Sequence, residues 1–230
     1  MVVWTNFAGG WIPVVGDEPK RLKFGAWWRF IPDFLPVSEA DRLLEICLER
    51  PDWAQLPIVV FGKEVMQPRL MAWEGDLPYR YSGLTLEPRP CTSPIAELSQ
   101  RAADRAATSF NHVMLNLYRS GADRIGPHAD DEPELGPDPI IASLSLGETR
   151  RFVAQPKRRF KSKRKERLQL THGSLLIMGG AFQRNWYHGV PAQPERIGPR
   201  VNITFRQLGG PPGWRPPLGS EATNHDASVS

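Results

Sequence analysis

Cysteine is scarce in this 230-residue chain, which contains only Cys47 and Cys91. Two cysteines cannot build a disulfide framework or a four-cysteine zinc site, so we interpret them as ordinary thiols in a reducing compartment. No run approaches the ~18 consecutive apolar residues of a membrane span. A basic start followed by an apolar stretch, the mark of a signal peptide, is also missing. We therefore expect a cytoplasmic protein without a membrane span.

Proline (23 residues) and glycine (20 residues) are abundant and predict many turns rather than a helical bundle. One helix is predicted to begin at Ser38, with Asp41 in a capping box, and to end before Pro51; a second runs from Ser93 towards Phe110. Short strands are predicted at 57–63, 112–119, 140–146, 150–155, 167–170, 174–179, 185–190 and 200–207. The expected fold class is mainly β with flanking helices, arranged as a barrel or sandwich that two helices buttress on one side.

The chain divides into three parts by composition. Residues 1–37 are interpreted as an aromatic-rich N-terminal extension that packs on the core. Residues 38–208 form the expected domain, and their length suffices for one substantial core. Residues 209–230 have little to bury and are expected to be a flexible tail.

Positive charge is concentrated in one segment. Residues 150–167 contain ten Lys and Arg residues against the single acid Glu166, a net charge of +9, whereas the whole chain carries only +4. Such a run is typical of a solvated loop, of an arm that contacts phosphates, or of a nuclear-targeting signal. The charge alone does not choose between them.

The motif His128-Ala129-Asp130 points to a metal site. In an extended segment, residues two apart lie on the same side, so the imidazole and the carboxylate can bind one ion together. His188, in the sequence Trp-Tyr-His-Gly, is the best candidate for a third ligand. Two histidines and one carboxylate leave open coordination positions, as in non-haem Fe(II) oxygenases.

The segment Arg200–Arg206 alternates strictly between polar and apolar residues. One face of this predicted strand carries Arg200, Asn202, Thr204 and Arg206, and the other face is apolar. Buried guanidinium groups need anionic partners, and a dicarboxylate would satisfy two of them. Asn116 and Tyr118 form a second polar face on the strand 112–118. Each strand alone would also fit an exposed surface with ordinary salt bridges.

Several motifs taken together resemble the AlkB family of Fe(II)- and 2-oxoglutarate-dependent dioxygenases, in particular its eukaryotic-type homologues that repair alkylated nucleic acid. The similarity covers about residues 57–207 and is carried by VFGK (60–63), QPRL (67–70), YRYSGLTL (79–86), NLY (116–118), IGPHADDE (125–132), HGSLLIM (172–178), WYHGVP (186–191) and RVNITFR (200–206). It implies a double-stranded β-helix, or jelly-roll, with a nucleotide-recognition lid at about 57–86.

The resemblance also implies roles for the polar residues. His128, Asp130 and His188 should bind iron. Arg200 should pair with the distal carboxylate of 2-oxoglutarate, assisted by Tyr118 and Asn116. Arg206 and Asn202 should serve the end of 2-oxoglutarate that chelates the metal, and Thr204 should line the same pocket. O2 would complete the set of reactants.

The resemblance places a flipped base between Tyr81 and His128, with Tyr79 and Ser82 beside it and Glu132 directed at a cationic methylated base. Phe61 would wedge into the base stack, with Lys63 near phosphate and Arg69 following it. Further phosphate contacts are expected from the basic segment, namely Arg158, Arg159, Lys161, Lys163, Arg164 and Lys165.

The implied activity is oxidative demethylation of bases such as 1-methyladenine and 3-methylcytosine in single- or double-stranded DNA, with RNA as a further substrate. A monomer is expected, associated with the nucleoid in a bacterium or located in the nucleus in a eukaryote. Three alternatives are an oxygenase acting on a protein or a lipid, a non-catalytic nucleic-acid binder, and a zinc hydrolase, for which the paired arginines would lack a purpose.

Overall fold

The computed structural model describes residues 3–7, 10–14, 18–60, 63–81, 84–193 and 197–209, and at 3–7, 10–14, 59 and 60 only the backbone is considered. Seventeen strands and three helices are found in these ranges. In chain order they are β1 (Val3–Phe7), β2 (Gly10–Val14), β3 (Lys20–Arg21), β4 (Ala26–Ile31), α1 (Val37–Leu48), β5 (Pro57–Val60), β6 (Lys63–Met66), β7 (Leu70–Gly75), β8 (Tyr79–Tyr81), β9 (Leu84–Leu86), α2 (Ser93–Ala106), β10 (His112–Tyr118), β11 (Ile125–His128), β12 (Ile141–Gly147), β13 (Arg150–Pro156), β14 (Glu166–Leu170), β15 (Ser174–Gly180), α3 (Phe182–Asn185), β16 (Trp186–Val190) and β17 (Arg200–Arg206).

Two antiparallel sheets form the framework. The main sheet has seven strands in the order β3-β4-β15-β12-β17-β10-β7, and the minor sheet has four in the order β11-β16-β13-β14. Three two-stranded ribbons, β1–β2, β5–β6 and β8–β9, complete the strand pairing of the described residues. Apart from the consecutive pairs β3–β4 and β13–β14, neighbours in both sheets come from distant parts of the chain, as in the predicted jelly-roll, and the predicted fold class is confirmed.

Apolar side chains pack on both faces of the main sheet. Between the two sheets, Trp28 and Met114 of the main sheet belong to one cluster with Phe152 and Leu168 of the minor sheet. On the other face, α1 and α2 supply residues such as Leu43 and Leu98 to a second cluster. The helices therefore buttress one side, as predicted, and the space between the sheets is left for the site.

The N-terminal region contributes more to the fold than predicted. Residues 1–37 are expected from the sequence to be an extension packed on the core, but β4 is an inner strand of the main sheet and pairs with β15 in register from Ala26 opposite Gly180 to Ile31 opposite Leu175. Trp28 is only 2% exposed. The pattern was missed because Trp27 and Ile31, also apolar, obscure the alternation of Ala26, Trp28 and Phe30.

Both predicted helices exist, but their ends differ from the prediction. The capping box at Ser38 is wrong, because α1 begins at Val37 and Pro36 occupies the N-cap, where its carbonyl accepts from the amides of Glu39 and Ala40. α2 ends at Ala106, since Ala107 adopts a left-handed conformation with φ of 52°.

The predicted strand 57–63 is two strands of a ribbon, with Val60 opposite Lys63. Strands β1 to β4, β7 to β9 and β11 lie outside the predicted strand segments. Among the described residues, no helix combines the length and apolar character needed to cross a membrane. The predicted tail lies outside the described residues from 210 onward.

Candidate active site

The site lies between the two sheets, on the polar face of β17. The apolar residues Val201, Ile203 and Phe205 belong to the cluster under the helices. Asn202, Thr204 and Arg206 point the opposite way and line a cavity. On β10, Asn116 and Tyr118 line the same cavity, so the predicted alternation of both strands is confirmed.

Three side chains that could bind a metal meet at the cavity wall. His128 lies at the end of β11, Asp130 two residues later, and His188 in β16 directly opposite His128. Their donor atoms lie within 4.8 Å of one another. The Nε2 atoms of both histidines are 3.9 Å from the carboxylate oxygens of Asp130. The structure thus brings together the three residues that the sequence proposes as ligands.

The electrostatics suit a divalent metal. Burial lowers the pKa of His128, and burial together with the neighbouring His128 lowers the pKa of His188 to about 3, so both rings are neutral and can donate a lone pair. Burial alone would raise the pKa of Asp130, but the Arg206 guanidinium and the two histidines hold it below its ordinary value. Two neutral imidazoles and one carboxylate are the donor set of an Fe(II) centre.

Neighbouring groups hold these side chains in place. The Nδ1 atom of His128 lies 3.0 Å from the carbonyl oxygen of Gly126, so a proton on Nδ1 leaves Nε2 free for a metal. The His188 ring is stacked on Phe152 at 5.5 Å. The backbone amide of Asp130 donates to the Gln183 side chain over 3.1 Å. Gln183, fully buried in the one-turn helix α3, was missed because nothing in its local sequence marks it.

Two buried arginines of β17 have unused donors, Arg206 in the cavity wall and Arg200 beside the wall residue Asn202. Arg206 donates from Nη2 to Asp130 over 2.9 Å, and Arg200 donates to Ser145 and Asn202 over 2.9 Å and 2.8 Å. In both guanidinium groups, Nε and Nη1 lack a protein partner. Burial lowers the pKa of Arg200 to about 10, so the group is still charged at neutral pH. Buried cationic donors without acceptors indicate a missing anion, and the two carboxylates of 2-oxoglutarate fit this requirement.

The same cavity contains two of the residues predicted to hold a base. Tyr81 and His128 line the same cavity. Tyr79 is fully buried behind them, and the Arg206 guanidinium lies 5.7 Å from its ring. Burial and the charge of Asp130 raise the pKa of Glu132 to about 7, against the influence of Arg206. Lys63 is exposed on β6, while Phe61 and Ser82 lie outside the described residues.

Arg69, which the resemblance places after Lys63 among the substrate-binding residues, lies inside the protein. Its side chain is buried, with 3% of the residue exposed. Nε donates to Asn116 over 2.7 Å and Nη2 donates to the Tyr81 hydroxyl over 2.8 Å. A guanidinium that is buried and donates two hydrogen bonds within the protein cannot reach a phosphate in solvent. Arg69 instead positions two residues of the cavity wall.

The basic segment has two structural parts. Arg150 is fully buried and donates to the backbone carbonyls of Ser120, Asp123 and Pro191, so it belongs to the fold. The six predicted phosphate contacts are all exposed in the turn between β13 and β14, namely Arg158, Arg159, Lys161, Lys163, Arg164 and Lys165. Arg164 is also paired with the buried Glu166 over 2.6 Å.

Gly189→Ala is expected to weaken metal binding about tenfold, the typical effect of disturbing the residues that support a ligand. A Cβ at Gly189 would lie 2.7 Å from the Ile125 carbonyl oxygen and 2.8 Å from that of Gly126, so β11 would have to move and carry His128 away from His188. Titration with Co(II) or Mn(II) measures the affinity. Gly126→Ala is the matched control, since a Cβ there meets nothing within 4 Å. Equal affinities of the two variants would contradict the expectation.

The fold and the site together define a class of protein: a double-stranded β-helix that holds a metal with two histidines and one carboxylate, beside a buried site for an anionic co-substrate. A family model described as the 2OG-Fe(II) oxygenase superfamily matches residues 28–206. The human "Alpha-ketoglutarate-dependent dioxygenase alkB homolog 3" is 41% identical over 184 residues, which are 77% of this chain and 64% of the relative. The mouse "DNA oxidative demethylase ALKBH2" is 40% identical over 181 residues, 74% of this chain and 76% of the relative.

A solved structure titled "The structure of OsALKBH1" superposes with a TM-score of 0.59 at 19% identity and covers 83% of this chain and all of that one, which supports the fold. The chain belongs to the AlkB family of 2OG-Fe(II) oxygenases and is of the eukaryotic type. Fe(II) and 2-oxoglutarate, for which the family is named, fit the His-Asp-His cluster and the unused donors of the two arginines. The chain spans less than two thirds of the length of the human relative.

Proposed function

We propose that this protein removes methyl groups from the Watson–Crick nitrogens of alkylated bases in DNA, and also in RNA, by oxidative demethylation. One observation carries the proposal: the three metal-binding candidates, Arg206 with its unused donors and the Tyr81 ring border one cavity between the sheets, and the buried Arg200 is bonded to Asn202 of the same cavity. The names of the relatives, a DNA oxidative demethylase among them, support the choice of reaction.

The protein's own residues supply binding and orientation. His128, Asp130 and His188 would hold the metal; Arg200, beside Tyr118, would bind the distal carboxylate of 2-oxoglutarate. Bound Fe(II) supplies the oxidation that converts an N-methyl group to N-hydroxymethyl, while 2-oxoglutarate and O2 are consumed and succinate and CO2 are formed. The N-hydroxymethyl product then releases formaldehyde and restores the N–H group of the base.

Tyr81 and His128 offer two flat surfaces for an extracted base. A base taken out of a stack loses its neighbours, at a cost of roughly a few kcal/mol, which new stacking partners can offset. Arg69 supports this role, because its bonds to Tyr81 and Asn116 link the base-facing wall to the cavity that would hold 2-oxoglutarate. Glu132 would accept a hydrogen bond from the exocyclic amine of the base.

We further propose that the protein acts as a monomer, since the chain by itself supplies a complete set of metal-binding candidates. A cytoplasmic or, in a eukaryote, nuclear location is proposed from the substrate alone.

The function is tested with an oligonucleotide that contains 1-methyladenine or 3-methylcytosine, in the presence of Fe(II) and 2-oxoglutarate. Equal amounts of formaldehyde and restored base are expected, and His128→Ala provides the blank. Succinate without base repair would contradict the proposal and would favour a protein or lipid substrate. Salt-dependent binding without turnover would favour a non-catalytic nucleic-acid binder.

Neutralising the exposed turn is expected to weaken binding of nucleic acid without loss of stability. In the triple variant Lys161→Gln, Lys163→Gln and Lys165→Gln, three exposed charges are removed. If each contacts a phosphate, the slope of log K against log salt for a duplex becomes less steep by about 2.7. Arg42→Gln, an exposed change on the helix-covered side, is the control. An unchanged slope in the triple variant would show that the turn does not track phosphates.

A further inference from the structure

A groove lies on the outer face of the minor sheet, directly behind the candidate metal centre. Pro127 and Tyr187 immediately precede His128 and His188, which are opposite each other in the β11–β16 pairing. Because neighbouring residues in a strand point to opposite faces, Tyr187 faces outward while His188 faces the cavity. The cavity and the groove therefore lie on opposite faces of the minor sheet, at strands β11, β16 and β13.

The outer groove, as we call it, has a volume of about 620 Å³ and is defined by Pro127, Gln155, Pro156, Lys157, Arg158, Arg159 and Tyr187. This volume lies within the range of about 300–1,000 Å³ typical of small-ligand sites. Three of its seven residues are cationic. Its floor is the ring of Tyr187, with Gln155 opposite it in the β13–β16 register.

Only part of this positive charge is neutralised by the protein. Lys157 is paired with Asp131 over 2.7 Å, and its ammonium group also lies 5.1 Å from the centre of the Tyr187 ring. Arg159 donates to the carbonyl of Arg184 over 2.9 Å. Arg158 is exposed, and its side chain forms no hydrogen bond or ion pair within the described residues. The Arg158 guanidinium is therefore available to an anion in the groove, which also contains the Tyr187 ring.

The groove is held in shape before any ligand arrives. The backbone amide of Lys157 donates to the carbonyl of Asn185 over 2.8 Å. Phe160, at the end of the same short turn, is stacked on Phe24 with ring centres 4.0 Å apart and planes 19° apart. Groups that are already fixed lose little further entropy on binding, which favours affinity.

We propose that the outer groove binds one nucleotide of a single strand beside the modified base, with its base stacked on Tyr187 and its phosphate held by Arg158. This inference rests on the proposed function and deepens it. A base on the Tyr187 ring takes the place of the Lys157 ammonium, which then pairs with the same phosphate. Stacking on a side chain requires an unstacked base, so the groove selects a single strand and not a duplex.

The test measures binding of an unmodified, fluorescently labelled single strand of about ten nucleotides, a length within reach of such surfaces. Tyr187→Ala is expected to weaken binding about tenfold, whereas Tyr187→Phe, which keeps the ring, binds as the unchanged protein does. Arg158→Gln is expected to make the slope of log K against log salt less steep by about 0.7, the contribution of one phosphate contact on a single strand. Binding of the corresponding duplex is expected to change little in Tyr187→Ala.

Two results would overturn the inference. The first is unchanged binding of the single strand by Tyr187→Ala. The second is a loss of turnover by Tyr187→Ala that is as large on a free methylated nucleoside as on the methylated strand. A nucleoside has no flanking base, so such a loss would show that the substitution damages His188. Binding of an unmodified strand needs no turnover, so a failure of the proposed demethylation leaves this measurement valid and the two proposals fail separately.

Discussion

Asp130→Asn is expected to abolish turnover and to lower the stability of the protein by about 3 kcal/mol, the typical effect of removing one partner of a buried ion pair. The residue is 2% exposed, and its carboxylate accepts from Arg206 over 2.9 Å. An amide supplies no negative charge to the metal and leaves the Arg206 guanidinium without a counter-charge. Formaldehyde release measures turnover, and urea denaturation measures the free energy of unfolding.

The two consequences can be separated. Asp130→Glu keeps the negative charge but moves it by one methylene group, so it should retain more stability than Asp130→Asn while still losing turnover. Asp104→Asn, an exposed carboxylate on α2, is the control and should change neither property. Substantial turnover by Asp130→Asn would show that Asp130 is not a metal ligand.

The polar strands of the site could be predicted because their pattern is local. Polar and apolar residues alternate along the whole of β17 and from Leu115 to Tyr118 on β10, and a strand displays such alternation on two faces whatever its neighbours are. The prediction then needed only one further argument, that Arg200 and Arg206 cannot be buried without an anion. The structure places both where that argument requires.

The burial of Arg150 is encoded in the alternation of its strand. Arg150 belongs to the +9 segment, yet it lies in phase with Phe152 and Ala154, which face the core. Glu166 is likewise in phase with Leu168 and Leu170 and is 3% exposed. Net charge sums over both faces of a strand, whereas burial depends on the face, so the net charge of the segment does not show which of its charged residues are exposed.

Arg69 and Gln183 could not be placed from the sequence. Arg69 meets Asn116 only because β7 pairs with β10, a contact between residues 47 positions apart. Gln183 reaches the amide of Asp130 across 53 positions from a helix of one turn. Contacts of this kind depend on the assembled sheets, and no local propensity encodes them.

Arg200→Met is expected to raise the KM for 2-oxoglutarate about 100-fold, which corresponds to the loss of a charge-assisted hydrogen-bond pair. Arg200 is fully buried, and two of its nitrogen atoms have no protein partner. Arg200→Lys keeps a charge but not the planar guanidinium, so its KM should lie between those of the unchanged protein and Arg200→Met. Arg101→Met, at a surface ion pair with Glu39, is the control and should leave the KM unchanged.

The stability of the same variant gives a readout that does not depend on turnover. Without 2-oxoglutarate, Arg200→Met should be as stable as the unchanged protein or more stable, because it removes a buried charge that lacks an anion. With the metal and saturating 2-oxoglutarate, the unchanged protein gains about 2.7 kcal/mol at 100 times the Kd, and the variant should lose most of this gain. Without 2-oxoglutarate, the change in the free energy of unfolding should therefore have opposite signs in Arg200→Met and Asp130→Asn. The Asp130 carboxylate is already paired within the protein, whereas the Arg200 guanidinium lacks an anionic partner. A variant still stabilised fully by 2-oxoglutarate would contradict the assignment of Arg200 to the distal carboxylate.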